Sequence, residues 1–301
     1  MIRSALLAVT ERSVTKKLVT DTTAGRAVAK RFVAGDSLAE AIDVAEELNS
    51  QGLKVSLDHL GEHVSAIEDA RAAKDSYLQC LDQIAEHGLD ANISIKLTQL
   101  GMGLDNEVAA RNLGEIAAAA LEAGTTVTVD MEESEHTQTT VDLYAAAQRV
   151  HGNLGIAVQS YLRRTAKDLD RIIPLGGHIR LCKGAYAEPS DVAYQSGDEV
   201  DESFDRLGAL LMESPGVKPA IASHDDVRLE KILASAEHRT DPWEFQMLYG
   251  VRRDRQAELV AMGHEMRVYV PYGEAWYPYL TRRMAERPAN LFFFMRALVR
   301  G

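Results

Sequence analysis

Cysteine is nearly absent from this chain of 301 residues, with only Cys80 and Cys182. Two such distant thiols have neither metal-ligand spacing nor the density of a disulfide framework, and they suit a reducing cytoplasmic setting. An excess of positive charge is also lacking: 33 Lys and Arg stand against 45 Asp and Glu, the formal net charge is −12, and no basic stripe interrupts it. This argues against nucleic acid as a partner and against tight attachment to anionic lipid. No apolar run is long enough to span a bilayer. The segment Met1–Val9 reaches Glu11 and Arg12 too soon for a signal peptide. Neither G-x-G-x-x-G nor a Walker sequence occurs, so the two common phosphate-cradling loops are missing. Internal repeats and low-complexity segments are missing too.

What remains suits one large domain or two small ones, at 46% hydrophobic and 26% charged. Residues 1–50 read as an N-terminal helical segment. It has a candidate helix at Ala24–Phe32 and another at Ser37–Asn49, capped by Ser37 with Glu40 at capping-box spacing. After Gly52 the rhythm changes to alternating strands and helices. Strands are expected at Leu53–Leu60, Ala91–Leu100, Thr125–Met131, Gly155–Tyr161, His178–Lys183, Lys218–Ser223, Glu244–Tyr249 and Met266–Pro271. The intervening helices are Val64–His87, Asn106–Ala123, Gln138–Val150, Ala166–Ile173, Glu202–Met212, Asp226–Ala236 and Arg253–Met262. Trp276–Glu286 follows the last strand, and an apolar segment, Leu291–Leu298, comes near the C-terminus. Eight strand–helix units in about 250 residues predict an α/β fold of the (β/α)8 TIM-barrel type over residues 51–301. A doubly wound sheet is the alternative, and it would normally carry the missing Gly-rich loop.

Active sites of such barrels lie at the C-terminal ends of the strands. Polar residues gather at those ends here: Asp58, His59 and Glu62; Lys96, Thr98 and Gln99; Asp130, Glu132 and Glu133; Gln159 and Tyr161; Arg180 and Lys183; Ser223, His224 and Asp225; Gln246 and Tyr249; Tyr269 and Tyr272. The opposite ends are blander. Most telling is His178–Tyr186, where a buried-looking strand carries Arg180 and Lys183, then Gly184 and Ala185. Buried cations are costly unless an anion meets them, either a ligand or an internal carboxylate.

Narrower motifs carry less weight. His59, Glu62 and His63 match H-x-x-E-H, but a glycine interrupts them just after a strand, so no metal site is assigned. Lys96 and Lys183 are each placed to form a Schiff base, which keeps a barrel lyase or aldolase as a competing function. A non-catalytic ligand-binding barrel is the other. Glu188–Glu202 reads as a solvated acidic loop, with a lid as the alternative. On the last helix, Glu286 lies three residues after Arg283 and can pair with it, leaving Arg282 either as an ordinary surface arginine, the commoner case for such a helix, or free to fork around a carboxylate.

The segments Ser94-Ile-Lys96-Leu, Val129-Asp130-Met-Glu, Val158-Gln159-Ser-Tyr, Arg180-Leu-Cys-Lys183-Gly-Ala-Tyr186, Ala222-Ser-His224, Phe245-Gln-Met-Leu-Tyr-Gly250, Arg267-Val-Tyr269-Val-Pro and Tyr279-Leu-Thr-Arg282-Arg283-Met-Ala-Glu286 occur in an order that resembles proline dehydrogenase. The resemblance covers nearly the whole chain and matches the single-function bacterial form, without an appended aldehyde dehydrogenase. It implies a distorted barrel that holds FAD non-covalently and oxidises L-proline to pyrroline-5-carboxylate by hydride transfer. It also implies electrons passed to a membrane quinone through transient contact with the inner membrane surface, and a separate pyrroline-5-carboxylate dehydrogenase as a possible partner.

The resemblance further implies residue roles. Lys96, Arg282 and Arg283 match residues that hold the proline carboxylate, and Arg283 also contacts flavin. Leu181, Tyr269 and Tyr279 match walls around the proline ring, with Tyr186 near that pocket. Arg180 matches the cation beside flavin N5, and Gln159 a donor to the flavin ring. Met131, Lys183, Gly184, Ala185, Ser223 and His224 match the cofactor cradle, Glu286 an acid supporting it, and Asp130 a supporting acid below the site. Cys182 replaces the family's commoner Val, another small apolar side chain.

Overall fold

Eight parallel strands close on themselves in sequence order: β1 (Lys54–His59), β2 (Ala91–Ile95), β3 (Val127–Val129), β4 (Leu154–Gln159), β5 (Gly177–Cys182), β6 (Val217–Ala222), β7 (Glu244–Leu248) and β8 (Met266–Tyr272), with β8 pairing back onto β1. The computed structural model describes residues 29–286, with residues 282–286 by backbone alone. Most of the expected helix Ala24–Phe32, the apolar segment Leu291–Leu298 and the side chains of Arg282, Arg283 and Glu286 lie outside the described residues. The expected (β/α)8 barrel is therefore the fold. Among the described residues, no helix is long and apolar enough to cross a membrane.

Helix α1 (Leu38–Ser50) precedes the barrel, and its capping box forms: Ser37 Oγ accepts the Glu40 amide at 3.3 Å, while Glu40 Oε2 accepts the Ser37 amide at 3.2 Å. Its buried Ala41, Ile42, Ala45 and Leu48 join the same core as Leu53 and Val55. Each strand is then followed by a helix: α2 (Ile67–Glu86), α3 (Asn106–Glu122), α4 (Thr137–His151), α5 (Thr165–Ile172), α6 (Gly197–Glu213), α7 (Asp226–Ser235), α8 (Arg253–Ala261) and α9 (Trp276–Glu286). The last of these departs from the regular pattern. Trp276, Tyr277, Tyr279 and Leu280 form a cluster with Ala29, Phe32, Val33 and Leu60, separate from the main core.

Several boundaries differ from expectation, each for a local reason. β2 ends at Ile95 because Leu97–Met102 turns, with the Leu100 amide donating to Leu97 O at 3.0 Å. Helix α2 starts at Ile67, beyond a loop in which His63 adopts a left-handed φ of 51°. Helix α6 starts at Gly197 rather than Glu202, because Ser196 and Glu199 form a second capping box. The acidic loop before it is also less solvated than its composition suggested. Ala193 is fully buried and bridges Leu162, and Glu188 accepts the Ser134 amide at 2.7 Å.

Strand alternation sets which side chains enter the barrel. Arg180 donates to Ser56, Ser94, Asp130 and Gln246, on or just beyond four other strands, so it projects inward. Its neighbour Leu181 then projects outward and lies within reach of Gly208 on α6.

Candidate active site

A chamber of about 780 Å³ opens at the C-terminal ends of the strands. Its floor is ionic. Lys96, just beyond β2, is 6% exposed and donates to Asp58 Oδ1 at 2.7 Å, with Asp130 Oδ2 at 3.7 Å. Asp130, just beyond β3, accepts from Ser94 Oγ at 2.7 Å, from Arg180 Nη1 at 2.5 Å and from the Tyr269 hydroxyl at 2.8 Å. The Arg180 guanidinium also lies 5.1 Å from the Tyr269 ring centroid. Two carboxylates thus face two cations in a largely desolvated place. Burial alone would lower the Lys96 pKa, but Asp58 and Asp130 outweigh it and hold the ammonium firmly protonated. Burial raises the Asp58 carboxyl, against the pull of Lys96. It also raises Tyr269, and Asp130 and Asp58 push it the same way, so its hydroxyl remains a donor.

Most of the residues assigned by resemblance converge on this chamber. Lys96, Asp130, Met131, Gln159, Arg180, Lys183, Gly184, Ala185, Tyr186, Ser223, His224, Tyr269 and Tyr279 all line it. Leu181 does not. It is fully buried on the outer wall of the strand, so it is not a wall of this chamber. Gln159 also differs in detail: its Nε2 donates to Met131 O at 3.1 Å, and the atom left buried without a partner is its acceptor, Oε1. Lys183 is held between Asp201 at 2.5 Å and Asp225 at 3.0 Å. The imidazole of His224 accepts the Leu248 amide at 3.0 Å.

These features fit a flat, hydrogen-bonding, anionic group such as FAD. Gly184 has φ +117°, and a Cβ there would meet the Tyr161 ring at 2.3 Å, so the backbone beside the chamber has to stay bare. The orphaned Gln159 oxygen awaits a donor, and Arg180 supplies a fixed positive charge.

Residues without an assigned role also belong to the site. Asp58 pairs with Lys96. Gln246 accepts from Arg180 Nε at 2.6 Å and so orients it. Arg252, at a left-handed φ of 50°, lines the rim and donates to His224 O at 3.1 Å and Asp226 at 2.8 Å. Asp58 and Gln246 were visible as polar strand-end residues. Nothing in the sequence ranked them above their neighbours. The H-x-x-E-H spacing does not form a helical motif. His59 stacks on Tyr272 with centroids 5.2 Å apart, whereas His63 faces Glu133 at 3.4 Å.

A closed barrel with a desolvated ionic floor at its strand C-termini defines a TIM-barrel enzyme. Comparison with known proteins narrows the class. The family model described as proline dehydrogenase matches residues 41–296, and the chain belongs to that family. Proline dehydrogenase 1 of Bacillus subtilis subsp. natto is 40% identical over 276 residues, covering 90% of this chain and 91% of that one. Proline dehydrogenase of Deinococcus radiodurans is 34% identical over 310 residues, covering 100% of this chain and 99% of its own. The bifunctional protein PutA of Escherichia coli is 28% identical over 318 residues, where the match spans 24% of that protein. Among solved structures, proline utilization A of Bdellovibrio bacteriovorus, inactivated by N-propargylglycine, superposes with a TM-score of 0.82 at 25% identity, covering 87% of this chain and 33% of that one.

Proposed function

We propose that the chain oxidises L-proline to pyrroline-5-carboxylate in proline catabolism, with FAD as its cofactor. The observation that carries this reading is the chamber floor, where Lys96 and Arg180 are held as buried cations by Asp58 and Asp130. Lys96 meets the substrate carboxylate, and the resemblance adds Arg282 and Arg283 from α9. Tyr269 and Tyr279 wall the ring, with Tyr186 beside it, and together they exclude water. Arg180, fixed by Asp130 and Gln246, would lie beside the flavin ring, and Gln159 would bond to that ring. Lys183, Gly184, Ala185, Met131, Ser223 and His224 would cradle the cofactor, with Glu286 supporting it. FAD, when bound, accepts the hydride from the carbon next to nitrogen. Holding that carbon in place by the carboxylate accounts for a large part of the rate, and a fixed cation such as Arg180 favours the negative charge that develops.

A quinone-type acceptor at the membrane surface would take the electrons, by transient contact of a cytoplasmic protein. The bifunctional character of the Escherichia coli relative supports a separate pyrroline-5-carboxylate dehydrogenase as the next enzyme. The Schiff-base alternative is weakened by the same floor: a Lys96 held protonated has no lone pair for a carbonyl.

The purified protein is expected to show the absorbance of oxidised flavin, bleached anaerobically by L-proline. A colourless protein inactivated by borohydride in the presence of substrate would restore the lyase reading. A colourless protein without turnover would leave a binding barrel.

A further inference from the structure

Asp58 and Asp130 lie on the same floor, yet their oxygens are used differently. Asp130 is saturated: Ser94, Arg180 and Tyr269 all donate to it. Asp58 is 1% exposed and lines the chamber, its one close hydrogen bond comes from Lys96 to Oδ1, and the Tyr269 hydroxyl, which donates to Asp130, is near enough to favour its charged form as well. Its Oδ2 is buried with no hydrogen-bond partner among the described residues. Two carboxylates whose surroundings diverge in this way take different roles in acid–base chemistry. A saturated carboxylate is a poor proton acceptor, because each donated hydrogen bond favours the charged form.

The floor sets two negative charges against two positive ones, and it stays neutral when a zwitterion enters. The amine of that zwitterion must lose a proton before its nitrogen lone pair can assist hydride departure. The geometry points to Asp58 as the acceptor of that proton, at Oδ2. In this step the N–H bond breaks, an O–H bond forms on Asp58, and the nitrogen keeps its electron pair. Hydride loss then leaves the product as a protonated imine, and Asp58 returns its proton to solvent after product leaves. Asp58 is thereby a catalytic residue, and its partner Lys96 stays charged throughout to hold the carboxylate.

Four of the other titratable groups near Asp58 do not compete for this role, and Glu62, which lines the same chamber, adds negative charge that acts on Lys96. Tyr269 donates to Asp130. Tyr77 donates to Gln99 Oε1 at 2.9 Å and, like Tyr272, is driven up by burial. His59 is on the outward face of the same strand, stacked on Tyr272 and edge-on to Tyr77.

The inference rests on proline being the substrate. Failure of that reading would show as no flavin bleaching by proline at any pH. Failure of this one shows only in pH dependence and in the Asp58 variant. The experiment compares wild-type holoenzyme with Asp58→Asn, measuring kcat/KM for L-proline and the affinity for tetrahydrofuran-2-carboxylate, the ring-oxygen analogue that carries no amine proton. In the wild type, kcat/KM is expected to be level from about pH 7 to 9, because the enzyme removes the proton itself. In Asp58→Asn it should fall about 100-fold at neutral pH, the low end of general-base effects. It should then recover tenfold per pH unit toward the pKa of a free amine, about 10. Affinity for the analogue should stay within about threefold. A wild-type kcat/KM that itself climbs tenfold per pH unit from 7 to 9 would overturn the proposal, whether or not the variant folds. So would an equal loss at every pH in the variant, wild-type activity in the variant, or a parallel loss of analogue binding, which would leave Asp58 only as the support of Lys96.

Discussion

The barrel interior contains two ionic layers, one at the chamber floor and one beneath it, and they differ in how completely they are satisfied. In the lower layer, Glu244 receives Arg267 Nε at 2.7 Å, Gln246 Nε2 at 2.7 Å and Lys218 Nζ at 3.0 Å. Arg267 also donates to Val55 O at 2.7 Å, and the Thr128 hydroxyl links Asn92 at 3.1 Å to His178 at 2.6 Å. No side-chain atom of these residues is buried without a partner, whereas the upper layer has two such atoms, Asp58 Oδ2 and Gln159 Oε1. Gln246 joins the layers, accepting from Arg180 above and donating to Glu244 below. The difference separates structure from function. A buried polar group left unpaired is costly, so it persists where a ligand completes it. The lower layer is finished without a ligand and acts as a rigid platform for the upper one.

The largest expected effect breaks the lower layer. Arg267→Met leaves Glu244 buried, with Lys218 as its remaining charged partner. The folded carboxylate sits far below the usual glutamate range: burial would raise it, and Arg267 chiefly prevents that. Uncoupling a buried ion pair costs about 3–5 kcal/mol. Urea unfolding should show a loss of that size, with activity falling only in proportion to the unfolded fraction. A loss under about 1 kcal/mol would mean the lower layer is not the platform described.

Next in size is the matching change in the upper layer. On the proposed function, Lys96→Met removes a charged partner of the substrate carboxylate, which contributes roughly 1.5–3 kcal/mol, so kcat/KM should fall about 10- to 150-fold. Part of that should appear in KM, because the carboxylate is bound in ground and transition states alike, and part in kcat at neutral pH, because without Lys96 the Asp58 carboxyl starts out protonated and cannot take the amine proton. Stability should fall far less than in Arg267→Met, since burial already raises Asp58 and a proton replaces the lost cation. Equal stability losses in the two variants would erase the distinction between the layers.

Much of this was legible in the sequence. The strand–helix rhythm and the polar strand ends predict the barrel and its working face, and Arg180 in a buried strand predicts an anionic partner. The internal reading of Arg180 is the one the structure shows, with Asp130 as its partner, and the same side chain lines the chamber. Leu181 shows what family resemblance alone misses. It neighbours the inward Arg180, and the two-residue period of a strand sends it outward. The early start of α6 was written in Ser196 and Glu199, a capping box masked by the acidic composition around it. The unequal use of Asp58 and Asp130 was not legible, because it depends on which strands deliver donors to each oxygen, and that is set by register across the closed barrel.

The smallest expected effect sharpens the comparison through pH. His178 sits in the lower layer against Thr128, and its ring occupies the space a Cβ on Gly155 would need, 2.3 Å away. Burial lowers its pKa to about 3; Glu244 pulls it back, and Arg180, Arg267 and Lys218 add to the lowering. The unfolded chain takes up a proton near pH 6.5 that the fold refuses until about pH 3. Below pH 6.5 the unfolded state therefore binds more protons, and stability falls as pH falls. One proton amounts to about 1.4 kcal/mol per pH unit, so His178 should remove about 1.5–2 kcal/mol between pH 6.5 and 5. Glu244, held low, withdraws its own contribution only below its ordinary value of 4.5, outside this window. His59, also lowered by burial, and Glu132, raised to about 7 mainly by burial, titrate in both proteins and cancel in a difference. In His178→Asn, urea unfolding at a series of pH values should then give a curve flatter than wild type by about that amount. Parallel curves would mean that His178 is charged within the folded barrel, and the lower layer would have to accommodate a further cation that its hydrogen bonds leave no room for.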